Sequence, residues 1–203
     1  MRTVSGLFET YVKATEAVHA LRDAGIRSAD ISLIANKAED LYPGDLDPVA
    51  KDTTAGAEVG ALLGGAGGLL AGLGIVAIPG LGPVVAGGWL VATLLGAVAG
   101  AGLGAATGGL IGLLTDAGIP KSDAHVYAEG VRRGGALVTA RVTEAEVDTA
   151  TTILAQKGAA DLPQLRRSFE REGWKEFDEA APELTAEQLR DYRDRYPFVP
   201  PVI

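Results

Sequence analysis

Residues Val59 to Thr115 read VGALLGGAGGLLAGLGIVAIPGLGPVVAGGWLVATLLGAVAGAGLGAATGGLIGLLT, and none of these side chains is charged. All charged residues of the chain lie before or after this run. The chain therefore has the pattern of a polar domain that carries an apolar, glycine-rich insert. The length and composition of the insert predict two helices that pack against each other or against copies of themselves.

The insert contains two series of glycines with a spacing of four residues. On a helix, residues four apart lie on one face, so each series predicts a smooth stripe. Glycine costs about 1 kcal/mol relative to alanine inside a helix in water, which close packing of helices can offset. The predicted helix-packing and oligomerisation residues are Gly56, Gly60, Gly64, Gly68, Gly72, Gly96, Gly100, Gly104, Gly108 and Gly112.

The two stripes come level in an antiparallel hairpin whose turn is centred near residue 84. We expect a first helix from about Gly56 to Ile78 and a second from Trp89 to Thr115, because proline and glycine cluster between them. The predicted hairpin-turn residues are Pro79, Gly80, Gly82, Pro83, Gly87 and Gly88.

Two environments suit such a hairpin. Each helix would span roughly 30 to 40 Å, which is enough for a bilayer core of about 30 Å. The large aliphatic side chains of the first helix favour insertion by only about 3 to 5 kcal/mol, before its many glycines are counted. The apolar faces can therefore be buried either in lipid or in a bundle of copies of the chain.

The flanking residues predict an α+β domain. A faint repeat relates Leu21–Gly25 to Leu154–Gly158 and suggests two strand-helix-strand halves, the pattern of a ferredoxin-like split βαβ sheet. The predicted strands are Val4–Phe8, Asp30–Ile34, Ala136–Val142 and a short one at Asp161-Leu162. The predicted helices are Thr10–Ala24 with Val12 on its buried face, Ser122–Arg133 capped by Ser122, and a helix capped by Thr143 and Glu146 that stops at Gly158.

These elements give five predicted regions. Residues 1–38 form the first half of the ferredoxin-like domain, 39–55 an acidic linker, 56–115 the helical hairpin, 116–162 the second half and 163–203 a C-terminal arm. In the arm, Thr185 and Gln188 predict the cap of a helix that ends near Arg195, and the prolines beyond it predict an extended end. We expect Trp174 and Phe177 to anchor the arm to its own domain or to a neighbour.

The composition argues against several functions. The net charge of −8 opposes strong attraction to nucleic acid, and the absence of cysteine excludes disulfides, thiolate metal sites and a cysteine nucleophile. His19 and His125 have no partner at metal-ligand spacing, and no phosphate loop or nucleophile elbow is present. We therefore expect no enzyme activity, no catalytic or metal-binding residues, no cofactor and no small-molecule substrate. We interpret Arg132-Arg133 and Arg166-Arg167 as salt-bridged surface rather than as a lipid-headgroup site.

Two parts of the sequence resemble a known family. Val4–Phe8, the following helix before Gly25 and Asp30–Ile34 are similar to the start of bacterial general stress proteins of the YflT-like, heat-induced type. Tyr127–Gly135, followed by Leu137-Val138, resembles the second half of glycine-zipper members of that group. The resemblance implies an association with stress and supplies no catalytic residues.

The leading hypothesis is a stress-associated, non-enzymatic protein that homo-oligomerises through its hairpin in the cytoplasmic membrane, with the polar domain facing the cytoplasm. Its expected partners are its own copies and the lipid bilayer. One alternative is a cytoplasmic, self-assembling scaffold or shell with the hairpins packed in its core. Another is a membrane pore lined by the small residues of the helices, although the segment lacks pore-lining charge.

Overall fold

The structure of the chain is a computed structural model that describes residues 1–36, 74–93 and 109–195. The strands are β1 (Arg2–Phe8), β2 (Ile31–Asn36), β3 (Gly74–Ile78), β4 (Gly82–Gly88) and β5 (Ala136–Val142). The helices are α1 (Tyr11–Asp23), α2 (Gly109–Asp116), α3 (Lys121–Arg132), α4 (Val147–Gln156), α5 (Leu162–Arg171) and α6 (Ala186–Arg195), and residues 89–93 are also helical.

The five strands form one antiparallel sheet in the order β1-β5-β2-β4-β3. Because β5 lies antiparallel between β1 and β2, those two strands run in the same direction and α1 connects them. Helices α1 and α4 cover one face of the sheet, and α2, α3 and residues 89–93 cover the other. The predicted α+β class is confirmed at this level.

Outside the insert, local sequence patterns predicted most of these helices and strands correctly. Strand β5 has the predicted bounds, and the reciprocal capping box between Thr143 and Glu146 is present ahead of α4. Thr10 caps α1, but Val12 is 53% exposed and Ala14 takes its expected place in the core. Ser122 does not cap α3, because that helix begins one residue earlier, after Pro120.

The strand predicted at Asp161-Leu162 is wrong. Asp161 is instead the N-cap of α5, where its carboxylate accepts a hydrogen bond from the Gln164 N–H at 2.7 Å. Pro163 sits in the first turn of that helix, where its missing N–H has no cost. The chain still touches the sheet just before the cap, since the Ala160 N–H donates to the Leu7 carbonyl of β1 at 2.7 Å.

The predicted turn near residue 84 and the helical end of the first helix at residues 74–78 are also wrong, because the described centre of the insert belongs to the sheet. The rest of that helix, residues 56–73, lies outside the described residues. Strand β3 pairs with β4, and β4 continues the sheet beyond β2. Both strands are rich in β-branched residues such as Ile78 and Val84, which favour a pleated surface, and the edge of β2 supplies the pairing partner. The boundaries of the five predicted regions otherwise remain predictions.

Both described ends of the predicted second helix are helical, namely residues 89–93 and α2. In the part of the chain that the structure describes, no helix is both long and apolar enough to cross a membrane.

Candidate interaction site

Most of the predicted glycine stripe lies outside the described residues. This applies to Gly56, Gly60, Gly64, Gly68, Gly72, Gly96, Gly100, Gly104 and Gly108, whose role stays a prediction. Gly112 lies within α2, where its surroundings can be described.

Helix α2 turns its glycine face away from the sheet. Leu110, Ile111 and Leu114 are buried in the core between the sheet and α3. At 100° per residue, Gly112 lies on the opposite side of the helix. A Cβ atom added at Gly112 would meet no described atom within 4 Å. This face of α2 is therefore open for another element to pack on.

Residues 89–93 show the same orientation at the other end of the segment. Leu90 and Val91 are buried in the same core as α2, whereas Ala92 and Thr93 are exposed. Ala92 lies four residues before Gly96 and so extends the predicted stripe by one small residue. At both described ends, the small-residue face points away from the core of its own domain.

The predicted turn residues have a different role from the expected one. Pro79 and Gly80 do form a turn, with Gly80 at a φ of +74°, but the turn joins two strands. Gly82, Pro83, Gly87 and Gly88 all lie in β4. Pro83 lies opposite Ala77 of β3, one residue before the pairing with β2 starts at Val84, so it does not interrupt that ladder.

Gly88 is needed for close approach of two backbones. It has a φ of +94°, and a Cβ there would collide with the Ile31 carbonyl oxygen and lie 2.7 Å from the Ser32 Cα. Two residues later, the backbone N–H of Leu90 donates to the Ser32 hydroxyl at 2.8 Å. Gly88 thus lets the chain leave the sheet and start the helical residues 89–93 directly above β2.

The described part of the C-terminal arm packs on its own domain. This is one of the two predicted arrangements, the other being packing on a neighbouring copy. Phe177 is 5% exposed and lies in the core formed with α2 and α3. Its backbone N–H donates to Nδ1 of His125 at 3.2 Å. A Cβ added at Gly80 would lie 2.8 Å from the Glu179 Cα, so the arm passes directly over the β3–β4 turn. Trp174 packs edge-on against Phe169 with 5.5 Å between ring centroids.

A buried arginine fastens the arm to α3. The Arg133 side chain is 10% exposed and donates to Glu129, which is 2% exposed, and at 2.6 Å to Glu172. Its guanidinium carbon lies 4.3 Å from the ring centroids of both Phe169 and Tyr192. We call these five residues the arginine clasp. The clasp joins α3, α5 and α6 through two carboxylates and two aromatic rings.

The interpretation of the arginine pairs as salt-bridged surface holds only in part. Arg166 pairs with Asp123 at 2.5 Å and is partly exposed. Arg133 is instead a buried element of the clasp, and Arg132 donates to the Pro182 carbonyl of the arm at 2.9 Å. The four-residue spacing of Glu129 and Arg133 was the available signal, because such a pair meets on one helix face.

The histidines do not meet. His19 is exposed on α1, and His125 accepts the hydrogen bond from the arm. Within the described ranges, no three His, Cys, Asp or Glu side chains are close enough together to hold a metal ion.

Comparison of the chain with protein-family models, curated proteins and solved structures gave no match.

Proposed function

We propose that this chain is a non-enzymatic, stress-associated protein that homo-oligomerises through the glycine-rich segments on either side of β3 and β4. The observation that carries the proposal is the orientation of Ala92 and Gly112, which present the small-residue face outward while their helical neighbours are buried. The association with stress rests on the sequence resemblance to YflT-like proteins.

The energetics support a helix of another copy as the partner of this face. Each helical glycine in the stripe costs about 1 kcal/mol in water, and this cost is recovered where two backbones approach closely. The buried side of α2 already packs on the sheet, so the outward side provides the remaining surface for helix packing.

The length of residues 94–108 favours copies of the chain over lipid as the partner of this segment. Residues 94–108 are flanked in the sequence by Val91 and Leu110, which lie in one and the same core. Fully extended, these residues reach at most about 50 Å, whereas crossing a bilayer core and returning needs about 60 Å. This argument favours the scaffold alternative. Two rival proposals remain, namely insertion into the cytoplasmic membrane and a membrane pore. The absence of charge in residues 59–73 favours both of them.

We also propose a ferredoxin-like core as the platform of the assembly. Strand β5 lies between the parallel strands β1 and β2, and α1 and α4 pack on the same sheet face, both of which suit that fold. In this proposal, β3, β4 and the second helical layer are additions to the core.

Substitution of Gly64 and Gly104 by leucine tests the proposal, because a leucine in the stripe holds the helices apart. Native mass spectrometry is expected to show a large oligomer for the wild type and smaller species for the variant. An oligomer of unchanged mass in the variant would contradict the proposal. High-speed centrifugation without detergent separates the rivals, since large particles that stay in the supernatant favour the scaffold over membrane insertion.

A further inference from the structure

The C-terminal arm lies over three glycines of the insert. A Cβ atom added at Gly80 would lie 2.8 Å from the Cα of Glu179, and one at Gly82 would lie 2.5 Å from the carboxylate carbon of Glu183. At Gly109, the added atom would collide with the Glu179 carboxylate. These three glycines lie outside the two series with four-residue spacing, and the arm occupies the space that their missing side chains leave.

Residues 177–183 of the arm, which we call the strap, are fixed to α3 near both ends. The Phe177 N–H donates to Nδ1 of His125 at 3.2 Å, and Arg132 donates to the Pro182 carbonyl at 2.9 Å. Between these two contacts, the strap crosses the β3–β4 turn and the beginning of α2. Helix α3 therefore holds the strap across two separate parts of the insert.

Glu179 supplies a negative charge at the beginning of α2. Gly109 has a φ of +47°, through which a right-handed helix cannot continue, so α2 starts at this residue. The first turn of α2 contains no acidic residue of its own. A carboxylate at a helix N-terminus stabilises the helix, because the unpaired N–H groups there carry partial positive charge. The strap therefore stabilises this end of α2 from outside the helix.

Phe177 anchors the strap on the buried side of α2. Its side chain is buried in the same core as Leu110, Ile111 and Leu114. The other six residues of the strap are partly or fully exposed. A segment with a single buried anchor opens at a lower free energy than the strands of a central sheet. The strap can therefore detach while the sheet stays folded.

The docked strap leaves the outward face of α2 open. A Cβ atom added at Gly112 would meet no described atom within 4 Å, and the atoms of the strap are among those described. The strap thus acts on the buried side and the N-terminal end of α2, and not on the face proposed for self-association. Its docking fixes the orientation in which Gly112 points outward.

We infer that the strap regulates self-association. While it is docked, α2 is held on the sheet with Gly112 outward, and when it detaches, α2 loses both an anchor and the charge at its N-terminus. The apolar side of α2, with Leu110 and Leu114, then competes with the outward face for burial. The inference rests on the proposed self-association through α2, and it adds that the arm decides whether the interface is presented.

Hydrogen exchange of the full-length chain, followed by mass spectrometry, tests whether the strap controls α2. In the wild type, we expect the amides of α2 to exchange faster than those of β5, because the strap opens without the sheet. In F177A, the amides of α2 are expected to exchange about tenfold faster still, because the anchor is lost. L189A is the matched control, since Leu189 is also buried in the arm but lies beside Gly134, and wild-type exchange of α2 is expected there.

E179Q tests the charge separately, because glutamine keeps the size of the side chain. We expect the amides of α2 to exchange about two- to fivefold faster, which is the effect of losing one charge at a helix end. E176Q is the control, because Glu176 is exposed in the same arm, and no change is expected there. If F177A does not fold, F177L takes its place and is expected to show a smaller change in the same direction.

Sedimentation equilibrium of the same proteins links the strap to assembly. F177A is expected to associate about tenfold more weakly than the wild type and L189A, because only the docked fraction presents the interface. Exchange of α2 that is as slow as that of β5, or that is unchanged in both F177A and E179Q, would overturn the strap. An oligomeric wild type with an unchanged dissociation constant in F177A would overturn only its regulatory role. A monomeric wild type would instead overturn the proposed self-association, and with it this regulation.

Discussion

The guanidinium carbon of Arg133 lies 4.3 Å from the centroid of the Tyr192 ring, and this contact joins the last described helix to the centre of the fold. The phenol oxygen of Tyr192 lies 3.3 Å from both carboxylate oxygens of Glu172, which itself accepts from Arg133. Leu189 of the same helix is 2% exposed. The described part of the arm, up to residue 195, is therefore packed as part of the domain.

Replacement of Arg133 by methionine is expected to lower the free energy of unfolding by about 3 to 5 kcal/mol. The substitution keeps most of the side-chain length but leaves the Glu129 carboxylate buried without this cation, which is the costly way to break a buried ion pair. Urea denaturation measures the loss. R171M is the control, because Arg171 is exposed on α5, and a change within about 0.5 kcal/mol is expected there. Equal stability of R133M and R171M would contradict the role of the clasp.

Replacement of Gly80 by alanine tests the contact between the arm and the β3–β4 turn. Gly80 and Gly25 both have a positive φ, but a Cβ at Gly80 would lie 2.8 Å from the Glu179 Cα, whereas nothing lies within 4 Å of one at Gly25. We expect G25A to cost about 1 kcal/mol from backbone strain and G80A to cost more, because the arm must also shift. Thermal unfolding of both variants measures the difference. Equal losses would show that the arm does not press on this turn.

The sequence predicted well those elements whose signals are local. The bounds of β5 follow from a β-rich run that starts after two glycines, and the helix after Thr143 follows from a capping box. Strand β3 was assigned to the end of the first helix because of the glycine spacing before it, and β4 was assigned to the hairpin turn because proline and glycine cluster there. The strand that pairs with β4 on the other side, β2, lies some 40 residues before β3 in the chain. The residues Ile78 and Val84 are β-branched and were the overlooked signal.

The candidate sites were less predictable than the fold. The clasp brings together Glu129, Arg133 and Glu172 from two helices, and only the first two are close in sequence. The strap contacts Gly80 and Gly109, which belong to a different part of the sequence from Glu179. Local periodicity indicates which face of a strand or helix is buried, but not which distant residues pack on it.

Glu146 offers a prediction about pH. The Thr143 hydroxyl, at 2.7 Å, and the Thr143 backbone N–H, at 2.8 Å, both donate to its carboxylate and lower the pKa of Glu146 below its ordinary value. The stabilising effect of this cap is therefore present above the unfolded-state pKa and is lost as the pH falls through the lower, folded-state pKa. In T143A, we expect the pKa of Glu146 to rise toward its ordinary value in an NMR titration.

The matched control for that titration is T151A, because Thr151 is exposed on the same helix, two turns away from the cap. The pKa of Glu146 is expected to stay low in T151A. An unchanged pKa in T143A would show that the capping box does not control this carboxyl group.

The most direct test of self-association is the mass of the particle formed by a variant with leucine at both outward positions, A92L with G112L. Neither side chain points into the described core, so the domain is expected to fold while the small-residue face is blocked. T93L is the control, because Thr93 is equally exposed but lies about 100° around the helix from Ala92. Sedimentation equilibrium without detergent is predicted to give an oligomer for the wild type and T93L and a smaller species for the double variant. A double variant with the mass of the wild type, or a wild type that is already monomeric, would contradict the account.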